Sequence, residues 1–503
     1  MENTLWKALN RQSQHILSQV DRDPDSPTYG CFDRNFWNYK IRDFASIIQQ
    51  QGILVLDVLY RYDSPENPYF GKPTIKNLIG GGVEFWVKSQ LRTGAFNEYY
   101  PWESGFPPTA FSLYAVALIL VKYPELRTPA TIEAINQAGK WLLDHPEQEA
   151  LNQESAGLAG MTVAQKIPGV TIDESRLANR LDAFYQSQTA EGWFNEYGGP
   201  DLGYLAVTID SLWDIYQSTG DERALNSAKQ AAAFISRFVT VSGDFPVMIN
   251  SRNTDYVVPY GLTGLAKTDP ISAALVKVLL GNIQGEHSMF GKTDDRYLTH
   301  YIGQSYFRSL EGLKDLTFGT APTLPQPGEC YLEESRIYLR HTPEKSMIVA
   351  LGKGGIVNEF SKEGIVSADY GWRVKQGKKV AVTHWQDADY RCRMETENDT
   401  TTLAIEGNFT VHGYLRPSPF KHMVLRVLAF LVGNRLIARL KSVLIFNRKT
   451  FPLTFTRTIA IKDDTVSIKD SFSDPNIAGL SPAPHYSLRH VSSAGRFVIE
   501  EIL

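Results

Sequence analysis

From Leu5 to about Leu316 the apolar residues recur mostly at helical spacing. Phe111–Val121, Ile132–Leu143 and Ala224–Phe238 each repeat an apolar side chain at i, i+3 and i+4, and turns rich in Gly, Pro and Asp separate them. The pattern changes after Phe318-Gly-Thr-Ala-Pro-Thr-Leu-Pro-Gln-Pro-Gly328, which has the composition of a linker. Ser335–Arg340, Ser346–Leu351 and Thr402–Ile405 are short and β-rich. Thr454–Ile461 and Thr465–Lys469, parted by Asp463 and Asp464, read as a hairpin. Helices first and strands afterwards predict two domains rather than one alternating sheet. The boundaries are 1–317 for the helical part, 318–330 for the linker and 331–503 for the β part.

The helical part contains an internal repeat. Gln90-Leu-Arg-Thr-Gly-Ala-Phe-Asn-Glu-Tyr99 matches Gln188-Thr-Ala-Glu-Gly-Trp-Phe-Asn-Glu-Tyr197 at an offset of 98 residues (188 − 90). Downstream, Ser112-Leu113-Tyr114 answers Ser211-Leu212-Trp213. Hairpins that recur in this way bury their apolar faces on one another, and a ring of them is an (α/α) toroid. The predicted fold class is α+β multidomain: an N-terminal (α/α) toroid, an incomplete α/α barrel, followed by a C-terminal antiparallel β-sandwich. Loops at matching ends gather on one rim. Asn97, Glu98, Tyr99, Asn195, Glu196 and Tyr197 are therefore expected there as substrate-binding groups, although the same glycines and aromatics also serve as turn and core devices.

Composition narrows the function. Lys plus Arg is 51 and Asp plus Glu 55, a net charge of −4 over 503 residues. That near-balance argues against a nucleic-acid partner. Aromatic residues make up 12%, which suits stacking on sugar faces and equally suits core filling. Cys31, Cys330 and Cys392 form no CxxC pair, so neither a disulfide framework nor a thiolate metal site is expected. Met1–Gln14 lacks the apolar core of a secretory signal, so the expected location is the cytoplasm, with the periplasm the alternative if residues precede the chain. The most apolar stretch, Val424–Phe446, is interrupted by Arg426, Arg435, Arg439 and Lys441. It reads as amphipathic and packed on the protein, with contact with a membrane surface the lesser alternative, so a membrane is not expected as a partner.

Two polar clusters end apolar helical stretches. Asn250–Tyr260 brings Arg252, Asn253, Tyr256 and Tyr260; Asp294–Tyr301 brings His300 and Tyr301. These groups can bond sugar hydroxyls and pair with a carboxylate, and each cluster also reads as a capped helix end. Gly80-Gly81-Gly82 and Lys353-Gly354-Gly355 lack the rest of a phosphate loop, and no HExxH or Gly-x-Ser-x-Gly occurs.

With Ser26-Pro-Thr-Tyr-Gly-Cys-Phe-Asp-Arg34, Trp37, Lys40 and Phe96-Asn-Glu-Tyr-Tyr-Pro-Trp-Glu103, the chain resembles the heparinase II/III-like superfamily, of the type found in bacterial polysaccharide gene clusters. The resemblance implies a polysaccharide lyase acting on an acidic, uronate-containing polysaccharide or oligosaccharide by β-elimination; no cofactor is expected, and no metal either, because the chain lacks most of the family's His-x-His-Asp-like element. It places Asn152 as the group neutralising the uronate carboxylate, with Gln153 where His is common. Tyr204 follows Gly192 and Glu196 at the spacing of the family's catalytic Tyr, and Arg252 is the cation suggested beside it. Of a His-x-His-Asp-like element only Asp369 remains, and His384 is the substitute from the next strand. Two other readings stand beside this one. One is a glycoside hydrolase using two of Glu98, Glu196, Asp201 and Asp210. The other is a non-catalytic binding or assembly factor for exopolysaccharide synthesis.

Overall fold

The helices of the first half differ in how much polar surface they keep, and that difference builds a ring. The computed structural model describes residues 1–281, 283, 293–314, 316–319, 321–386, 389–412, 416–433, 449–463 and 465–484. Its helical part runs α1 (Glu2–Gln19), α2 (Arg34–Trp37), α3 (Gly52–Arg61), α4 (Pro73–Lys88), α5 (Phe106–Lys122), α6 (Pro129–Asp144), α7 (Leu151–Ala164), α8 (Glu174–Gln186), α9 (Leu202–Thr219), α10 (Glu222–Ser236), α11 (Tyr260–Leu265), α12 (Pro270–Gly281), α13 (Asp295–Leu298) and α14 (Tyr301–Leu313). Helices α5, α7 and α9 bury side chains on nearly every side, polar Ser112, Thr162 and Asp210 included. Helices α6, α8 and α10 bury one stripe and keep a solvated face. A helix with no polar face must be covered all round, so the first set lies inside. Helices α3, α5, α7, α9, α11 and α14 each pack on the next, and α14 returns onto α3, which closes the inner ring. Helices α4, α6, α8, α10 and α12 pack around it.

The repeated sequence is the turn that carries the chain from an outer helix to an inner one. Gln90 Nε2 donates to Gly94 O at 2.9 Å and Ala134 O at 2.8 Å; Gln188 Nε2 donates to Gly192 O and Ser227 O, both at 2.9 Å. Gly94 and Gly192 have φ of +88° and +103°, and a Cβ on either would lie 2.5 Å from the carbonyl oxygen of Gln137 or Gln230 in the next hairpin. Only glycine combines that backbone with that approach. Gly243 in Gly243-Asp-Phe-Pro246 makes the same bond three residues back, 2.8 Å to Thr240 O, while Gly30 in Gly30-Cys-Phe-Asp33 shares the left-handed φ but bonds Asp21 O at 2.9 Å. The spacings of 64, 98 and 51 residues (94 − 30, 192 − 94, 243 − 192) share no period, which hid these turns in the sequence. Gly80-Gly81-Gly82 lies inside α4, where Gly81 and Gly82 admit Tyr29, Gly30 and Ile53.

Four inner helices also meet around a buried ion pair. Arg308 of α14 donates to Asp214 of α9 at 2.6 Å and lies 3.7 Å above the Tyr260 ring of α11. The Tyr260 hydroxyl donates to the same carboxylate at 2.7 Å, and so does that of Tyr114 from α5. Breaking such a pair strands a charge in a low dielectric.

The strands form two antiparallel sheets. The first is β1 (Gly328–Leu332), β2 (Ile337–His341), β3 (Ser346–Ala350), β4 (Ile356–Ser361) and β5 (Gly364–Asp369), in that order. The second contains β6 (Trp372–Gln376), β7 (Lys379–Val382), β8 (Arg391–Glu397), β9 (Thr400–His412), β10 (Thr450–Lys462), β11 (Thr465–Phe472) and β12 (Leu480–Pro482), ordered β11-β10-β9-β7-β6-β12 with β8 on β9. The expected hairpin is β10–β11, with Lys462 opposite Thr465. Strands β2 and β3 are buried on both faces. Ile337, Leu339, Ile348 and Ala350 join the helical core, while Tyr338, Met347 and Val349 point into the core between the sheets. The first sheet is thus the middle layer, with helices on one face and the second sheet on the other.

One expectation holds only in part. The described part of Val424–Phe446 belongs to α15 (Pro419–Val432), which packs on the protein through Ala429, its one buried residue, and Leu425, while Phe420, Val427 and Leu431 face solvent. The side toward the protein is filled by a small residue, so the larger ones turn outward.

Replacing Gly192 with Ala should lower stability by at least about 1–3 kcal/mol, because backbone strain adds to a clash with a backbone carbonyl. Gly281→Ala, which meets nothing within 4 Å and has no left-handed φ, should be near neutral. Urea denaturation midpoints of the two variants check the contrast.

Candidate active site

The glycine turns aim the polar loops at one end of the ring, where the inner helices begin. Hydrogen bonds join these beginnings side by side. Ile47 N, ahead of α3, donates to Asn97 O at 3.0 Å, and Leu202 N of α9 donates to Asn250 Oδ1 at 2.7 Å. Tyr260 N of α11 donates to Ser305 Oγ of α14 at 3.0 Å, and Thr299 Oγ1 donates to Gln49 Oε1 at 3.4 Å. The positive ends of the inner helix dipoles therefore crowd one mouth and favour negative charge there.

Two carboxylates organise the mouth. Glu196 accepts Asn152 N at 2.6 Å and Asn152 Nδ2 at 2.7 Å, which caps α7 with both oxygens. Burial pushes the Glu196 carboxyl well above the usual range, and the two Asn152 bonds oppose this. Asp201, the N-cap of α9, accepts Tyr204 N on Oδ1 at 3.2 Å and Arg252 N on Oδ2 at 3.1 Å. One carboxylate thus tethers the backbones of Tyr204 and Arg252. Arg252 stands 4.8 Å over the Tyr197 ring, and the Tyr197 hydroxyl accepts Gln153 Nε2 at 3.3 Å. Asn152, Tyr204 and Arg252 are in this way joined through Glu196, Tyr197 and Asp201. Tyr204 and Arg252 are half-buried, and Arg252 Nε lies buried with no hydrogen-bond partner.

The β-sandwich reaches the same loops. Lys353, in the turn after β3, donates through Nζ to Asn250 O at 2.8 Å and to Asn253 Oδ1. Burial pushes its ammonium down to about 7; Asp201 opposes the shift and Arg252 adds to it. Gln386 Nε2 donates to Gly198 O at 3.2 Å. His384 is 6% exposed, and its Nδ1 lies 2.9 Å from Tyr370 O. A carbonyl only accepts, so Nδ1 carries the proton of the neutral ring and Nε2 is the basic nitrogen. Asp369 is taken up by Arg457, which also donates to Gly355 O at 2.9 Å and so braces the Lys353 turn.

Across the mouth, Glu98 pairs with Arg296 at 3.2 Å, and Arg296 lies 5.8 Å from the ring centroids of Tyr99 and Tyr297. Glu103 accepts Glu98 N and Tyr99 N at 2.6 and 2.7 Å; burial, with Glu98 beside it, pushes its carboxyl up to about 8. Asn97 Oδ1 accepts Glu103 N, and Asn195 Oδ1 accepts Gly198 N, so both asparagines brace their own loops. His300 is buried with no hydrogen-bond partner on either ring nitrogen, and burial, with Arg296 nearby, pushes its imidazole well below its usual value. Tyr301 accepts the Tyr256 hydroxyl at 3.0 Å, and the Tyr256 ring meets Tyr204 edge-on at 6.3 Å. Tyr260 departs from this set, because its hydroxyl is committed to Asp214.

Sequence reasoning passed over Lys353 and Arg296. The signal for Lys353 was present in the Gly354-Gly355 pair that follows it, both left-handed, which turns a lysine back toward the helices.

No protein-family model matches the chain, and no curated protein does. Several solved structures are similar in fold. They include a xanthan lyase from Paenibacillus, with 12% identity and a TM-score of 0.48 over 93% of this chain and 45% of that one. They also include the Streptomyces coelicolor A3 chondroitin AC lyase in complex with chondroitin sulphate, with 12% identity and a TM-score of 0.45 over 82% of this chain and 67% of that one. Heparinase III is similar at 10% identity, with a TM-score of 0.48 over 92% of this chain and 70% of that one. The chain spans under half the length of the xanthan lyase. The mouth described above stands on this chain's own bonds.

Between pH 7 and 10 the unfolded chain holds a proton on Lys353 that the folded chain has released, so stability rises with pH over that window, by up to about 1.4 kcal/mol per unit. Lys353→Met should lose this rise. Urea titrations of both proteins at pH 7, 8 and 9 measure it; parallel curves would mean that the amine is solvated.

Proposed function

We propose that this protein is a polysaccharide lyase-like enzyme that cleaves an acidic, uronate-containing polysaccharide by β-elimination at the mouth of the helical ring. The observation that carries the reading is where exposure falls. Glu196, Asp201 and Asp210 are each 1% exposed, Glu98 is 3% exposed, and all four are engaged by backbone amides or by Arg296. They hold the mouth in shape and are poorly placed to flank a glycosidic bond, which disfavours hydrolysis. Tyr204 and Arg252 are the half-buried groups tethered together above them.

In this reading Arg252, with the α7 and α9 helix ends behind it, pairs with the uronate carboxylate and acidifies the C5 proton. Tyr204, acting as the base, takes that proton. The C5–H electrons form the C4–C5 double bond as the C4–O bond breaks, and the Tyr204 phenol returns the proton to the leaving oxygen. Asn152 acts from below: its amide is spent on Glu196, so carboxylate pairing rests on Arg252. His384 lies beneath the surface, bonded to Tyr370 O. Half-exposed Asn195 and Tyr197, with exposed Tyr99, offer sugar contacts along the rim.

Incubation with a panel of uronate polysaccharides should produce the ultraviolet absorbance of a 4,5-unsaturated product. Tyr204→Phe should lower kcat by about 10²–10⁴-fold with circular dichroism unchanged, and Arg252→Ala should raise KM as well. Release of reducing ends without that absorbance would assign hydrolysis instead. Sugar binding without turnover, indifferent to Tyr204→Phe, would assign a non-catalytic factor.

A further inference from the structure

Helix α15 inverts the usual arrangement of a surface helix. At about 100° per residue, Phe420, Val424, Val427 and Leu431 fall on one stripe, and Ala429 lies roughly opposite. Ala429 is the buried residue, and the stripe faces outward: Phe420 is 68% exposed, Val427 53% and Leu431 70%, with Met423 beside them. The helix is held by its small side and its flank. Ala429 and Leu425 pack on Tyr100, Phe430 meets Trp102 edge-on at 5.4 Å, and Arg426 forms two 2.8 Å bonds with Asp43. These contacts fix the helix on the rim loops with its apolar stripe in water. Burial of such side chains is worth about 1.5–3 kcal/mol each, so a stripe left this way has something to cover it.

The charge around it selects what that is. Between Glu406 and Asp463 the chain has no Asp or Glu, although the whole protein is acidic at −4. Exposed Arg416 and Lys421 flank the stripe on the described part. A convex apolar stripe bordered by cations, with no anion in its own segment, is the signature of a helix that lies in a lipid interface. Among the described residues no helix is long and apolar enough to cross a membrane, so the contact is with the surface. We propose that α15 seats this protein on an anionic membrane surface, with the stripe in the acyl boundary, Lys421 at the headgroups and the rim loops beside it. The inference is independent of the lyase reading.

Flotation of the full chain with vesicles tests it. Wild type should float with phosphatidylglycerol/phosphatidylcholine vesicles and far less with phosphatidylcholine alone, and high salt should weaken the association. The Phe420→Ser, Val427→Ser, Leu431→Ser triple variant should lower partitioning at least about tenfold with circular dichroism unchanged. Lys421→Glu should lower it too, and keeps the test alive if the triple variant fails to fold. The proposal is overturned if wild type floats with neither vesicle, or with both equally. It is also overturned if light scattering shows a dimer that the triple variant dissolves, since a second copy would then be the cover.

Discussion

The rest of the structure depends on the contact between a side-chain-free α-carbon and the backbone carbonyl of the neighbouring hairpin. At Gly94 and Gly192 the left-handed turn and the 2.5 Å a Cβ would leave to Gln137 or Gln230 act together. The contact seats each of these two turns on the hairpin that follows, within a ring that closes where α14 meets α3. It also fixes the direction of the loop that follows. Every loop beginning at one of these glycines therefore arrives at the end of the ring where inner helices start.

That geometry decides the chemistry of the mouth. Helix beginnings leave backbone amides without partners, and closely set beginnings concentrate them. Glu196, Asp201 and Glu103 meet that demand, so their burial is tied to the fold. The cost appears as the upward push on the carboxyls of Glu196 and Glu103. With the acids committed to backbone amides, Tyr204, Arg252 and Tyr197 stay half-buried and Tyr99 exposed. A mouth where helix N-termini, phenols and a guanidinium meet favours negative charge.

The β-sandwich is joined to this mouth by more than a linker. The middle of its first sheet is buried on both faces, because alternate side chains of β2 and β3 enter the helical core and the intersheet core. The sheet's position relative to the ring is thereby set, and Lys353 and Gln386 reach the same rim loops from the other side. Helix α15 approaches from the β-sandwich as well and settles on Tyr100 and Trp102. Residues from the helical ring and the β-sandwich thus meet at the rim, beside the exposed apolar stripe of α15.

The order of helices and strands was written in local patterns: the spacing in Phe111–Val121 that became α5, and the turn at Asp463 that became the β10–β11 hairpin. The glycine turn was legible as well, because a backbone only glycine tolerates leaves its mark in the residue itself, though only where two copies shared their neighbouring letters. Tertiary structure alone decided which polar residues stay available. Asn152 is spent on Glu196, Tyr260 on Asp214 and Asp369 on Arg457, and each of those partners lies tens of residues away. It alone brought Lys353 to Asn253, across a domain boundary, and turned the stripe of α15 outward. The reason is physical. Periodicity and turn chemistry act between neighbours in the chain, whereas burial, charge pairing and exposure are set by whichever distant groups packing brings together.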